Sequence, residues 1–208
     1  MLSEETTLSR LAGKYRWVRD IDRWTVAVAS TADWRHMLLA YGADPERTVG
    51  QFEFGQIEAL QGDDPDNLNY FVQLIHRGDK VVLVECNGWN GAYTDIARRC
   101  SLQGGRFFSV YWNLRTAGAI TQAVDGRITA RFGYLYPLAH QEWPGEVRPH
   151  WAIGNEVRTE LANSMCFAHL ESQTGLTFEV GWLTRRWPTY QVPAAHWLYR
   201  NTTGLGRP

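Results

Sequence analysis

The chain has 208 residues, 44% hydrophobic and 21% charged, with a net charge of −1 and a mean hydropathy of −0.36. Length and composition allow one packed domain and exclude two full domains as well as a disordered or low-complexity chain. The charge balance argues against nucleic acid and anionic lipid as partners; with no apolar run of ~18 residues and no basic n-region before an apolar stretch, a cytoplasmic protein away from membranes is expected.

In chain order, Leu8, Leu11, Ala12 and Tyr15 recur at helical spacing and predict an amphipathic first helix. Residues 23–30, RWTVAVAS, predict a strand. Thr31 is the expected cap of a helix with apolar face Trp34, Met37, Leu38 and Tyr41, stopped by Gly42. From Asp44 to Asp66 seven acids face Arg47 alone, which predicts a short helix or irregular cover turned to solvent. Residues 68–76 and 80–86 flank Arg77-Gly78-Asp79 and predict an antiparallel hairpin; the triplet is turn chemistry rather than an adhesion signal. Thr94 is expected to cap a short helix through Cys100, with Asp95 in its first turn and Arg98 and Arg99 in its last, as the helix dipole favours.

Residues 106–113, RFFSVYWN, predict a strand with Tyr111 and Asn113 on one face and Trp112 on the other. Asp125-Gly126 marks a hairpin in which a two-residue turn sets Ala123 opposite Ile128, Thr121 opposite Ala130 and Ala119 opposite Phe132 on a core face. Gln122, Arg127, Thr129 and Arg131 fall on the solvated face. Pro137, Pro144 and Pro149 forbid a regular element over 135–150 and predict a surface loop or lid leading to the C-terminal helices. Those helices are expected over 154–187: a long one from Asn155 through about Gln173, stopped by Gly175, and a short one over 178–187. An extended tail over 188–208 completes the expectation. The fold class is α+β in one domain spanning 1–208, a mainly antiparallel sheet of five or six strands within about 23–134 packed against N- and C-terminal helices.

Cys86, Cys100 and Cys166 form no C-x-x-C and predict buried small residues rather than disulfides or a zinc knuckle. The six histidines include no i, i+4 pair and no H-E-x-x-H, so no metal site and no cofactor are expected. G-x-S-x-G, G-x-G-x-x-G and the P-loop pattern are absent. Nineteen arginines stand beside only Lys14 and Lys80. Six of them lie over 98–131, an asymmetry that either steers a charged partner or pairs this region with the acidic stretch. Ten tryptophans exceed what one domain needs as anchors, so part of them is expected to line a pocket or interface.

The sharpest local feature is Asn87-Gly88-Trp89-Asn90-Gly91. Two glycines allow left-handed backbone between a strand and a helix start, where free N–H groups bind an anion and Trp89 offers a stacking surface. Tyr111, Trp112 and Asn113 end a strand whose tip lies near this loop if that strand neighbours 80–86. The candidate binding residues are therefore Asn87, Trp89, Asn90, Arg98, Tyr111, Trp112 and Asn113.

The run Val81–Phe132 resembles an uncharacterised, mainly actinobacterial family, a domain of unknown function. The shared order is strand, N-G-x-x-G, short helix, S-x-x-G, strand ending in Y-W-N, strand, D-G, strand. Asn87 to Gly91, Ser101 to Gly104, Tyr111 to Asn113 and Asp125-Gly126 match it. Tyr41-Gly42-Ala43-Asp44 and the stretch from Gly175-Leu176-Thr177 to Trp182-Leu183 are also similar, and the proline-rich stretch is an elaboration. The resemblance implies that the matched order belongs to one domain, and it implies no activity.

Two functions follow as expectations. The first is a non-enzymatic binding or interaction protein for an unidentified protein or small molecule, with the aromatic residues supplying contact area and the asparagines orientation. The alternative is a small-molecule isomerase, cyclase or hydrolase of specialised metabolism with an aromatic cavity.

Overall fold

The structure, a computed structural model, describes residues 4–31, 33–62, 69–113, 117–134, 145–152 and 161–194. Its centre is an eight-stranded antiparallel sheet in the order β2-β8-β3-β4-β1-β5-β6-β7. The strands are β1 (Arg23–Ser30), β2 (Thr48–Phe52), β3 (Tyr70–Arg77), β4 (Lys80–Cys86), β5 (Arg106–Asn113), β6 (Ala117–Val124), β7 (Arg127–Gly133) and β8 (Trp187–Val192). The described residues include five helices, α1 (Glu4–Lys14), α2 (Trp34–Ala40), α3 (Phe54–Gln61), α4 (Thr94–Cys100) and α5 (Ala162–Thr174), of which α2 to α5 lie against the sheet and α1 packs on α5. The fold is thus α+β, with eight strands rather than five or six.

Helices lie on both faces of the sheet. On one face Trp24, Val26 and Val28 of β1 pack with Val82, Val84, Phe108, Val110 and Trp112 against Cys166, Phe167 and Leu170 of α5. On the other, Ala27 and Ala29 pack with Leu74, Val81, Leu83 and Phe107 against Met37 and Leu38 of α2 and Ile96, Ala97 and Cys100 of α4. Of the two helices near the chain ends only α5 lies on the sheet, on one of its faces; the N-terminal helix, expected against the sheet, packs on α5 instead. A strand apolar at every position needs cover on both sides, and β1, whose residues 24–29 are all buried, has it.

Trp24 is the hub of the α5 face. Its ring stacks on Phe167 at 5.2 Å and meets Trp17, Phe54, Trp112 and Phe178 edge-on at 5.5 to 6.2 Å. Trp112 and Trp182 are buried in the same cluster, and Trp17, Trp151 and Trp187 pack partly buried against it. Most of the described tryptophans are thus core material, with Trp34 and Trp89 outside this cluster.

Several local expectations are corrected. Asp33, not Thr31, caps α2: its Oδ1 accepts the His36 N–H at 3.0 Å. Thr94 lies inside α4, whose cap position is Tyr93. The 178–187 stretch forms a single 3-10 turn, Val180–Trp182, and the first residue of β8. The expected tail holds β8, inserted between β2 and β3. Pro188 is tolerated there because pairing with β3 starts one residue later, at Thr189. The start of α5 at Ala162 falls after 153–160, so the cap at Asn155 lies outside the described residues, as do 135–144 of the proline-rich stretch and 195–208 of the tail.

The β6–β7 hairpin shows how one residue redirects a surface. Asp125 and Gly126 take φ of +48° and +74°, as the tight turn requires, and Ala123 pairs with Ile128 as expected. A bulge at Thr129 then shifts the register, so that Gln122 pairs with Ala130, Thr121 with Arg131 and Ala119 with Gly133. Ala130 and Phe132 accordingly join the α5 face while Ala123 joins the α4 face.

Among the described residues the acidic stretch pairs with arginines of the first strand and second helix, as Arg23–Glu58 and Arg35–Glu46.

Candidate functional site

Four strands present polar residues on the α4 face at one end of the sheet. Glu85 of β4 pairs with Thr25 of β1, and Thr25 with Tyr111 of β5, which puts the three in one row. Ser109 and Thr121, paired across β5 and β6, lie one row inward. Glu85, Thr25, Ser109 and Thr121 are all buried. Buried polar groups at core positions need partners, and here the partner is the backbone of the loop that follows β4.

Each of the four side chains holds that loop from beneath. Thr25 Oγ1 donates to Gly88 O at 2.6 Å, Ser109 Oγ to Gly91 O at 2.7 Å and Thr121 Oγ1 to Ala92 O at 3.2 Å. The Asn90 and Gly91 N–H groups donate to the two carboxyl oxygens of Glu85 at 2.9 and 2.8 Å. The N–H groups expected to bind an anion are taken by the protein's own carboxyl group.

The glycines serve close approach, not left-handed backbone. A methyl on Gly88 would lie 2.4 Å from Glu85 Oε2, and one on Gly91 would lie 2.6 Å from Tyr41 Oη and 2.9 Å from Thr25 Cγ2. The positive φ is taken by Asn87, at +60°, an angle asparagine tolerates better than most residues.

Glu85 carries the main electrostatic consequence. Burial pushes its carboxyl up to about 7, against the two backbone N–H bonds that pull it down. Tyr41, fully buried on the loop's other side, is raised by burial first and then by the neighbouring charges of Glu85 and Cys100. Its hydroxyl has no hydrogen-bond partner among the described residues.

Above this clamp the loop meets a run of half-buried aromatic rings. The Trp89 indole lies edge-on to Tyr70 at 5.8 Å and donates through Nε1 to Tyr93 Oη at 3.2 Å. Tyr111 lies within electrostatic reach of Tyr93 and Glu85; burial is the larger cause of its raised hydroxyl. The Trp89 ring is neither enclosed nor free-standing, so part of one aromatic facet stays open to solvent.

The sequence-derived candidates divide. Asn87, Trp89 and Tyr111 belong to this end of the sheet, Asn87 through its amide, which donates to Gln61 Oε1 at 3.4 Å. Asn90 is buried and structural: its Nδ2 donates to Pro193 O at 3.0 Å, tying the loop to the end of β8. Asn113 pairs in the ladder with Arg23 and Ala117. Arg98 is engaged with Asp95 on its own helix at 3.1 Å. Trp112 is corrected outright: fully buried on the opposite face, its Nε1 donating to Ile21 O at 2.8 Å, it offers no surface to a ligand. The strand ending in Tyr111 does not neighbour β4 either, since β1 intervenes; Tyr111 reaches the loop across Thr25.

Glu85, Tyr70 and Tyr93 were not among the candidates. For Glu85 a signal existed: in KVVLVEC it shares parity with the core positions Val81 and Leu83, where a carboxylate needs a reason. Ser109 and Thr121 break apolar alternation in the same way.

Among the described residues no group of three or more His, Cys, Asp or Glu side chains could hold a metal ion. No described helix is long and apolar enough to cross a membrane. No family model, curated protein or solved structure matches the chain.

Proposed function

We propose that this protein is a non-enzymatic recognition module whose contact surface is the facet formed by Trp89, Tyr70, Tyr93 and Tyr111. The observation that supports it is a combination of rigidity and exposure. Four buried side chains fix the loop backbone, while the one tryptophan the loop carries stays partly open beside two tyrosines. Rigid aromatic area is favourable for binding because it buries apolar surface without losing much side-chain freedom. Asn87, half-buried at the start of the loop, contributes a polar edge.

Capture from native extract, resolved for both proteins and metabolites, tests this. Trp89→Ala is expected to lose at least tenfold in affinity for a partner that wild type retains, because a rigid aromatic anchor is typically worth more than ~1.4 kcal/mol. Asn90→Ala serves as a control for loop integrity. A partner bound equally by wild type and Trp89→Ala removes the facet as the site.

The enzymatic alternative has one observation in its favour, the buried Glu85 with its carboxyl near 7. Both of its oxygens already accept from the loop backbone, which leaves it better placed to brace than to react.

A further inference from the structure

We infer that a row of cations across the sheet, Arg77, Lys80, Arg106 and Arg127, is a second binding surface, and that its ligand is a single-stranded nucleic acid held by its phosphates. The register places the row. Arg77 of β3 pairs with Lys80 of β4, Lys80 with Ser30 of β1, and Ser30 with Arg106 of β5. Arg106 then pairs with Val124 of β6, and Val124 with Arg127 of β7. Directly paired residues point to one face of a sheet, and Ile75, Val82, Val28 and Phe108, the next inward row, mark it as the α5 face. With strands ~4.8 Å apart, the four cations extend over roughly 24 Å, at intervals of about 5, 10 and 10 Å. Uncharged Ser30 and Val124 fill the gaps between them.

Most of this charge is unopposed. Arg106 and Arg127 are exposed and have no ion pair among the described residues. Arg77 donates one N–H to the His76 carbonyl and lies over the Trp182 and Trp187 rings at 4.6 and 5.3 Å, contacts that leave it without a counter-ion. Two carboxylates stand in the adjoining turns: Asp79 pairs with Lys80 at 2.9 Å, and Asp125 accepts the Gly104 N–H. Four cations against these two leave a local charge of +2 in a chain whose total is −1. The acidic stretch is engaged with Arg23 and Arg35, so of the two roles open to Arg106 and Arg127, steering a charged partner is the one that remains.

Three features favour a nucleic-acid strand over a lipid surface or an acidic peptide. The cations lie in a line, which matches a one-dimensional polyanion better than a membrane plane. Guanidinium predominates among them, and its planar fork donates to phosphate bidentately. Half-buried rings border the row: Trp187 beside Arg77, and Trp151, packed on Phe108 and Phe132 one row in from Arg106. Aromatic rings and guanidinium planes are surfaces on which bases stack, whereas an acidic peptide needs only the charge. The row lies at the opposite end and on the opposite face of the sheet from Glu85 and its loop, and it is independent of the facet around Trp89.

Fluorescence anisotropy of a labelled oligo(dT) of about 12 nucleotides, inside the ~4–16 nucleotide span usual for single-strand grooves, tests this. The wild type is expected to bind, with the logarithm of the association constant falling against that of salt at a slope of about −3, ~0.7 for each of four neutralised phosphates. Arg106→Gln/Arg127→Gln, at exposed positions outside the core, is expected to bind roughly tenfold more weakly at ~50 mM salt and to halve the slope. The charge-matched control Arg10→Gln/Arg19→Gln, exposed on α1 and on the 3-10 turn Arg16–Asp20, should bind as the wild type does. Absence of binding at ~50 mM salt, an unchanged slope in the row variant or an equal loss in the control overturns the assignment. Polyglutamate that displaces the probe as well as unlabelled oligo(dT) does overturns it in favour of an acidic protein. Attachment to phosphatidylserine vesicles without oligo(dT) binding overturns it in favour of a membrane.

Discussion

Gly91 shows how tightly one position is set. Its Cα faces Tyr41 Oη and Thr25 Cγ2, and the tyrosine cannot give way without disturbing the buried contact of α2 with the sheet. Gly91→Ala is expected to destabilise the fold by about 1–3 kcal/mol, the usual cost of forcing an extra carbon into a packed core, measurable by urea unfolding. Unchanged stability would mean that the loop has slack beneath it. None of this was legible at the residue itself: an Asn-Gly pair announces a turn, but whether its glycine serves a backbone angle or a close contact depends on what lies underneath. Here Asn87 took the angle and the two glycines took the contacts.

At the scale of elements, β1 matters most. It is the strand that both hairpin partners of the sheet centre share, paired to β4 on one side and β5 on the other over nearly its whole length. Its first buried residue, Trp24, joins α5, α3 and the Phe178 segment through five aromatic contacts. Trp24→Ala is expected to cost about 3–5 kcal/mol, as for other fully buried large rings, and to lower the denaturation midpoint accordingly. A loss under 1 kcal/mol would show that the cluster repacks around the gap. The strand and its two-faced burial could be read from RWTVAVAS, as could the turns at Gly78-Asp79 and Asp125-Gly126. The bulge at Thr129 could not, because a register shift is decided by which face each side of the hairpin must fill.

For the whole molecule, two buried groups on opposite faces of the sheet act against each other with pH. Burial raises Glu85 from 4.5 to about 7, so across that window the folded state binds more protons than the unfolded one and stability falls as pH rises. Burial lowers His169 of α5 from 6.5 to about 4, so there the unfolded state binds more protons and stability increases with pH. Each displacement is worth about 3 kcal/mol, and the two windows largely overlap. The wild type is therefore expected to keep a nearly constant melting temperature between about pH 4.5 and 6.5, with Glu85→Gln unmasking an increase with pH and His169→Gln a decrease. Single variants that both retain the wild-type profile would refute the compensation. A third group guards the acid side. Burial pushes Glu171 up, and bonds from Lys14, Tyr15 and Thr177 together with the Lys14 charge more than offset it, so its contribution is lost only as pH drops through a carboxyl held below its usual value. That cluster joins α1 to α5 across the chain's two ends.

Local periodicity and turn chemistry determined that the chain is α+β, that its central strands are antiparallel, and that Asn87–Gly91 forms a special turn between a strand and a short helix. Those features depend on neighbours within a few residues, and the amino-acid order carries them directly. Strand order was decided only in three dimensions: β1 between β4 and β5, and β8 between β2 and β3, join segments separated by up to about 140 residues, and pairing at that range is set by competition among all available edges. The same holds for the candidate site. Whether Glu85, Thr25, Ser109 and Thr121 brace a loop, and whether Trp89 stays half-buried while Trp112 is sealed, follows from which face each strand turns toward which helix, and that becomes determined when the sheet is assembled.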